Sequence, residues 1–130
     1  MRMKALLSLC TLSILWSMTP AEATEARWYR NLDSPPMGGS PETIARAFIA
    51  REGARMELDG VELSDTARII RWRDQRIVRI EQHYDGLPVF TREVILRIDA
   101  QGRVRTLTTN ARDDLDVVTR PAISADDALE

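Results

Sequence analysis

The side chains that could carry out chemistry are few in this sequence. His83 is the only histidine, Cys10 is the only cysteine, and three carboxylates, Asp113, Asp114 and Asp116, cluster toward the C-terminal end. Catalysis and zinc binding need several such groups at one point, since a zinc site takes three or four ligands. Neither a glycine-rich phosphate loop nor an H-E-x-x-H pair occurs. We therefore predict a non-catalytic chain that binds no cofactor and no metal.

Two alternatives stay open for these residues. His83 lies in an alternating stretch between Gln82 and Tyr84, which is typical of a solvated histidine on a strand; a metal ligand or general base is the alternative. The acidic cluster fits a solvated linker, because it lacks the glycine turn and the distal glutamate of a calcium-binding loop. A calcium site is the alternative for the cluster.

The N-terminal residues have the pattern of a signal peptide. Arg2 and Lys4 precede an apolar run from Ala5 to Met18. Such a run is typical of the hydrophobic region of a signal peptide and is too short to span a bilayer as a mature helix. A retained membrane anchor is the alternative.

Cleavage of the signal peptide is predicted directly after Ala23. Ala21 and Ala23 supply the two small side chains that signal peptidase needs ahead of the cut. The protein would then be secreted or periplasmic, without residues 1–23. A lipoprotein interpretation depends on Cys10, but the residue before it, Leu9, is bulky and the apolar run continues beyond it. Cleavage would remove the only thiol, so the mature chain would be stabilised by packing alone.

The charge balance argues against a nucleic-acid partner. The chain has 18 basic and 20 acidic residues, and 16 basic residues, all arginine, remain against 19 acidic ones without residues 1–23. A domain that binds nucleic acid usually has the opposite balance. Ion pairs on a solvent-facing sheet surface explain the strand arginines, and an anion-binding sheet is the alternative. These arginines are at positions 71, 73, 79, 97, 103 and 105.

An extended arm and one helix are predicted before any strand. Residues 24–39 lack periodicity and are rich in breakers, so they form the arm. Its adjacent aromatics, Trp28 and Tyr29, either dock onto a partner or cover an edge of the chain's own domain. A cap at Ser40 and Pro41 begins the helix, which ends at Gly53. Its apolar stripe runs through Ile44, Ala47 and Phe48, with Ala45 and Ile49 beside them.

Four strands are predicted after the helix, from alternating apolar and polar residues. The first is half-buried, centres on Ile70 and Trp72, and turns at Asp74-Gln75 into a second strand over residues 76–84. Short turns between the strands favour an antiparallel meander with the helix packed on its apolar face. The fold class is α+β, and the domain spans residues 40–112. The third strand points Val94, Leu96 and Ile98 inward, and the fourth covers residues 103–108.

The C-terminal residues are predicted to be a linker and the start of a second unit. Residues 113–123 form the linker, and Ser124 caps a helix that would include residues 124–130. Because fewer than about 12 residues do not hold an isolated helix in water, we expect a longer natural polypeptide.

The connection between the second and third strands is unusually apolar. Residues 84–90 combine a turn, a proline and four large apolar side chains. This stretch resembles the fungalysin/thermolysin propeptide motif, which lies N-terminal to secreted zinc metalloproteases. The matching residues are Gln82, Tyr84, Gly86, Leu87, Pro88, Val89 and Phe90.

The resemblance extends beyond this core of the motif. Glu93-Val94 and residues 99–104 also match, and residues 119–125 resemble the lead into a second subdomain of the PepSY type, of which only the first helical turn is present. Thr91-Arg92 departs from the pattern, because the family more often has a small residue such as glycine before the glutamate.

The resemblance implies a prosegment that assists folding of a thermolysin-type metalloprotease and blocks its cleft until proteolysis removes it. Peptidase activity is not implied, since the zinc ligands and catalytic glutamate belong to a domain whose motif does not occur in these 130 residues. The implied partner is the cognate catalytic domain, in cis in a longer precursor or in trans. After signal cleavage we expect neither a nucleic-acid nor a membrane partner. The alternative is a free-standing secreted binding module or peptidase inhibitor acting in trans; an enzyme is the third hypothesis.

Overall fold

A computed structural model describes residues 25–116 of the chain. The predicted signal peptide with Ala21 and Ala23, and the helix start over residues 124–130, lie outside the described residues. Within the described part, no helix is long and apolar enough to cross a membrane.

One α-helix and five strands make up the described fold, which confirms the α+β class. The strands form a single antiparallel sheet in the order β1-β5-β4-β3-β2. The prediction of four strands is wrong, because three residues of the N-terminal arm add to the sheet beside the last strand. The elements are β1 (Arg27–Tyr29), α1 (Pro41–Glu52) followed by a 3-10 turn (Gly53–Met56), β2 (Arg68–Trp72), β3 (Gln75–Tyr84), β4 (Leu87–Ile98) and β5 (Val104–Thr109).

Helix α1 begins and ends where its cap residues predict. The Ser40 hydroxyl accepts a hydrogen bond from the backbone amide of Thr43 at 3.2 Å, and Gly53 follows the last turn. The stripe differs in one member, since Ala47 is exposed. Successive residues of an α-helix are about 100° apart around its axis, and the buried face is centred near Phe48. Ala47 therefore lies at the solvent side of this buried face. The buried residues of the helix are Ile44, Ala45 and Phe48.

The core lies between α1 and the inward face of the three central strands. The buried residues of β4 confirm the prediction that Val94, Leu96 and Ile98 point inward. These and further inward residues are each at most 2% exposed. They are Val78, Ile80 and Gln82 on β3, Val94, Leu96 and Ile98 on β4, and Val104 and Leu107 on β5.

Strand β2 is not half-buried as predicted, since every one of its residues is exposed. The helix packs mainly on β3, β4 and β5, so β2 lies at the far edge of the sheet with no helix over it. Its turn also differs by one position. Trp72 pairs with Gln75, so the turn residues are Arg73 and Asp74, and Arg73 has a φ of 56°.

The N-terminal arm follows β5 well beyond β1. The amide of Leu32 donates to the carbonyl of Arg105 at 3.1 Å, and the buried Ser34 hydroxyl accepts from the amide of Val104 at 2.8 Å. Tyr29 packs against the core, whereas Trp28 is 62% exposed. The arm therefore covers one edge of the sheet and leaves a tryptophan on the surface.

Candidate functional site

The motif residues form the end of the long hairpin between β3 and β4. Asp85 and Gly86 are its two turn residues and have φ values of 52° and 75°. Two consecutive positive φ values are typical of a tight hairpin turn, and Asp-Gly is a preferred sequence for it. The amide of Gly86 also donates to the Glu62 carboxylate at 3.0 Å. The expected connector over residues 84–90 is therefore shorter, because Leu87 to Phe90 already belong to β4.

A large bulge interrupts β4 directly after these residues. Glu81 pairs with Glu93 and His83 pairs with Pro88, so Gln82 alone lies opposite the four residues 89–92. The chain makes this detour through Thr91, whose φ is 60°. A β-branched residue is rarely left-handed, because its Cβ substituents crowd the backbone. The family more often has a small residue such as glycine in this part of the motif. At Thr91, the residue of the bulge with a positive φ, glycine would adopt the backbone conformation without strain.

Asn110, the residue directly after β5, holds the bulge. Its Oδ1 accepts a hydrogen bond from the backbone amide of Glu93 at 2.9 Å, and its Nδ2 donates to the carbonyl of Thr91 at 2.7 Å. The Thr109 hydroxyl donates to the carbonyl of Glu93 at 3.0 Å. These bonds satisfy backbone groups that the interrupted strand pairing leaves open.

The apolar motif side chains lie between the tight turn and the far end of the bulge, and most of them are exposed. Phe90 is 90% exposed and Leu87 is 53% exposed, with Pro88 exposed between them and Val89 half-buried. We call Leu87, Pro88, Val89 and Phe90 the motif tip. Burying a side chain such as that of Phe90 or Leu87 against a partner would contribute about 1.5–3 kcal/mol each. The tip is therefore an apolar projection that a hairpin does not need for its own closure.

Gln82, the first residue of the motif, is a buried structural link. Its Nε2 donates to the carbonyl of Arg112 at 2.5 Å, and the amide of Arg112 donates to its Oε1 at 3.1 Å. The side-chain amide thus pairs with the Arg112 peptide group as a neighbouring strand would. This contact ties the chain that leaves β5 to the C-terminal part of β3.

An ion pair stands beside the bulge on the outer face of the sheet. Nε of Arg79 donates to Oε2 of Glu93 at 2.9 Å, and a second, short bond joins the same two side chains. Hydrogen bonding to the Glu93 carboxylate raises the pKa of Arg79 above its usual value. The pair holds the base of the bulge in register across β3 and β4.

His83 and the acidic cluster, which were the candidates for metal binding or catalysis, do not form a common site. His83 is half-buried, and its amide donates to the carbonyl of Glu62 at 2.8 Å. In the acidic cluster, Nε of Arg112 donates to Oδ1 of Asp114 at 2.7 Å, and these hydrogen bonds hold the pKa of the Asp114 carboxyl below its usual range. Within residues 25–116, no three His, Cys, Asp or Glu side chains are grouped to hold a metal ion.

The structure brings together residues that the motif pattern alone does not connect. Tyr84 is half-buried beside the turn, and Gly86 forms the turn itself. Asn110 and Arg112, which hold the bulge and bind Gln82, were missed by sequence reasoning. Their positions just after the last strand give only a weak signal, because the bonds span 17 to 30 residues.

Comparison with known proteins supports the resemblance of this hairpin to a known motif. Residues 75–110 match the family model described as the Fungalysin/Thermolysin Propeptide Motif. The match begins with β3 and ends at Asn110, so it contains the motif tip, the bulge and the residue that holds it. No curated protein and no solved structure gives a significant match. The motif is that of propeptides of thermolysin- and fungalysin-type proteases and is not a catalytic domain.

Proposed function

We propose that this chain is the non-catalytic propeptide segment of a secreted thermolysin-type metalloprotease, acting as intramolecular chaperone and inhibitor of the peptidase domain. The propeptide motif over residues 75–110 is the main support. The second support is the motif tip, whose largest side chain is almost completely exposed. A contiguous exposed apolar projection is typical of a surface that binds a partner.

The tip is suited to docking because its shape is set before binding. A tight turn lies at one end, and the Asn110 side chain holds the bulge at the other. Little conformational entropy is therefore lost when Leu87 and Phe90 enter a pocket on the peptidase domain. The peptidase domain would gain a fixed apolar contact while it folds, and the same contact would hold the prosegment in place.

Gln82 gives the tip a defined position relative to the rest of the precursor. Its bonds to the Arg112 backbone fix the direction in which the chain leaves the sheet. A second subdomain after the predicted linker would then start from a fixed point. We propose that Gln82 is a motif residue for this reason and that it does not itself touch the peptidase domain.

Export is part of the same proposal. The signal peptide over residues 1–23 would deliver the chain to the periplasm or the exterior, where thermolysin-type proteases act. Mass spectrometry of the exported protein should find a chain that begins at Thr24. A chain that still carries the apolar run after export would contradict the proposal.

The functional test measures how much active peptidase forms with and without the chain. The full chain is produced together with each thermolysin-type peptidase domain encoded in the same genome, joined to it or as a separate protein. We expect the native chain to raise the yield of active peptidase and, when added to the finished enzyme, to inhibit it. No effect on yield or activity for any of these peptidases would contradict the propeptide assignment.

The role of the tip is tested by replacing Leu87 and Phe90 with alanine together. Because both side chains are largely exposed, each change should alter the free energy of unfolding by no more than about 0.5 kcal/mol. The yield of active peptidase should nevertheless fall several-fold. Ile44→Ala truncates a buried core residue and should cost about 2–5 kcal/mol of stability. It is the control, because a loss of yield that came from reduced stability alone would be larger for Ile44→Ala than for the double variant. Equal yields with the native chain and the double variant would exclude a direct role of the tip.

A further inference from the structure

Strand β2 is the outermost strand of the described sheet, on the side opposite β1. Its apolar side chains are uncovered: Ile69 is 42%, Ile70 38% and Trp72 48% exposed. Its pairing with β3 is regular, without a bulge, and the strand contains no proline. Bulges and prolines are two features by which natural edge strands avoid pairing with other chains, and charged side chains are a third, which β2 has in Arg68 and Arg71. An edge without bulge and proline, with apolar side chains on both faces and charges of one sign, is suited to a partner strand of opposite charge.

The backbone of β2 has its free hydrogen-bonding groups at two residues. A two-residue turn makes Trp72 and Gln75 a hydrogen-bonded pair, and such pairs alternate along an antiparallel ladder. Arg68 and Ile70 therefore also bond to β3. Ile69 and Arg71 direct their amide and carbonyl groups away from it. Outside the strand pairs, no backbone hydrogen bond within residues 25–116 involves Ile69 or Arg71.

The charge of this edge is positive. No ion pair within the described residues involves Arg68, Arg71 or Arg73. The Arg73 guanidinium lies over the Trp72 ring, 4.8 Å from its centre, and the only carboxylate in the hairpin loop is that of Asp74. A second copy of the chain at this edge would bring arginines close to arginines. An acidic strand would neutralise them and cover the apolar side chains as well.

We propose that β2 is a docking edge for an extended acidic segment of a partner protein, which adds to the sheet as a sixth strand. The partner backbone would bond to Ile69 and Arg71. Its carboxylates would lie beside Arg68 and Arg71, and its aliphatic side chains beside Ile70 and Trp72. The edge precedes residues 75–110, so the proposal goes beyond the motif tip and does not depend on the propeptide assignment.

The proposed pairing defines a probe. An antiparallel strand opposite residues 68–72 should carry glutamate opposite Arg68 and Arg71 and valine opposite the other three positions. The blocked peptide Thr-Val-Glu-Val-Val-Glu-Thr has this order. It is titrated into the full chain, with tryptophan fluorescence for affinity and amide hydrogen exchange for location. We expect saturable binding, at least tenfold weaker when both glutamates are replaced by arginine, and slower exchange at the Ile69 and Arg71 amides.

Two variants at Ile69 separate backbone pairing from apolar contact. Because the Ile69 amide faces outward, Ile69→Pro removes a bond to the partner and none to β3. Ile69→Thr loses the same apolar side chain but keeps the amide. Binding should weaken at least tenfold more for the proline variant than for the threonine variant. If the proline variant fails to fold, Arg71→Glu provides the test, since it should reverse the preference between the acidic and basic peptides.

Several results would overturn the proposal. These are the lack of saturable binding by the acidic peptide, equal binding of the arginine peptide, and equal affinities of the two Ile69 variants. Tighter binding of a single-stranded oligonucleotide at the same amides would identify an anion-binding sheet instead. Slower exchange at the motif tip in place of Ile69 and Arg71 would move the peptide site away from β2.

Discussion

The backbones of Met37 and Gly102 lie so close together that no side chain fits between them. The amide of Met37 donates to the carbonyl of Gly102 at 3.1 Å. A Cβ atom on Gly102 would lie 2.2 Å from the carbonyl oxygen of Met37, and Gly102 has a φ of 79°. The turn between β4 and β5 thus holds the end of the N-terminal arm through a position that only glycine can occupy.

Gly102→Ala should therefore destabilise the protein by about 3 kcal/mol or more, since it adds a clash with backbone to the strain of a positive φ. Gly60→Ala is the control, because Gly60 has a similar φ of 77° and open space around it. The control should cost only about 1–2 kcal/mol. Urea denaturation of both variants measures the difference. Equal losses would mean that the arm moves aside without cost.

Thr91→Gly should stabilise the protein by about 1 kcal/mol. The substitution removes a β-branched side chain from a left-handed conformation. Thr108→Gly is a matched control in regular strand β5, where glycine should cost about 1 kcal/mol. Thermal unfolding of the two variants should shift the midpoint in opposite directions. A lower midpoint for Thr91→Gly would show that the bulge is not strained.

Asn110→Ala should destabilise the protein by about 1–3 kcal/mol, because the Glu93 amide and the Thr91 carbonyl both lose a partner. Hydrogen exchange at the Glu93 amide should become faster, while exchange in the centre of β3 changes only with global stability. Thr106→Ala, a half-buried position on β5, controls for loss of side-chain volume. Unchanged exchange at Glu93 would mean that other groups hold the bulge.

Gln82→Glu should make stability depend on pH. A protonated carboxyl can still donate to the Arg112 carbonyl and accept from the Arg112 amide, whereas a carboxylate would face that carbonyl in a buried site. The pKa of the introduced carboxyl is therefore raised above its unfolded value of about 4.3.

The sign of the pH effect follows from this raised pKa. The variant should be close to the native protein in stability below about pH 4.3 and lose stability as the pH rises through the folded-state pKa. Urea midpoints of both proteins at several pH values measure the difference. Gln82→Leu should lose stability equally at every pH. A pH-independent loss in the glutamate variant would show that water reaches Gln82.

Local patterns were enough to predict much of the scaffold. Ser40 and Gly53 mark the two ends of α1 because capping satisfies the backbone groups of the nearest turn. The inward residues of β4 follow from a period of two, which holds wherever one face of a strand is buried. The motif over residues 82–90 was also recognisable, because its turn chemistry is encoded in adjacent residues.

Long-range pairing could not be predicted from the same patterns. Arg27–Tyr29 is too short to show a period, and it becomes a strand only because β5 offers a free edge. Conversely, β2 has a clear strand pattern but stays exposed, since the single helix lies over β3, β4 and β5. Alternation indicates which side chains share a face and does not indicate which face another element covers.

Adjacent residues encode the helix caps, the strands β2 to β5 and the apolar motif of this domain. The contacts that place these side chains arise between residues far apart in the chain. Phe90 lies in the bulge that Asn110, twenty residues further along the chain, holds through hydrogen bonds to Thr91 and Glu93. Gln82 is buried because the Arg112 backbone comes to it from beyond β5. Such contacts depend on how β3, β4 and β5 are placed side by side, and no local propensity encodes that placement.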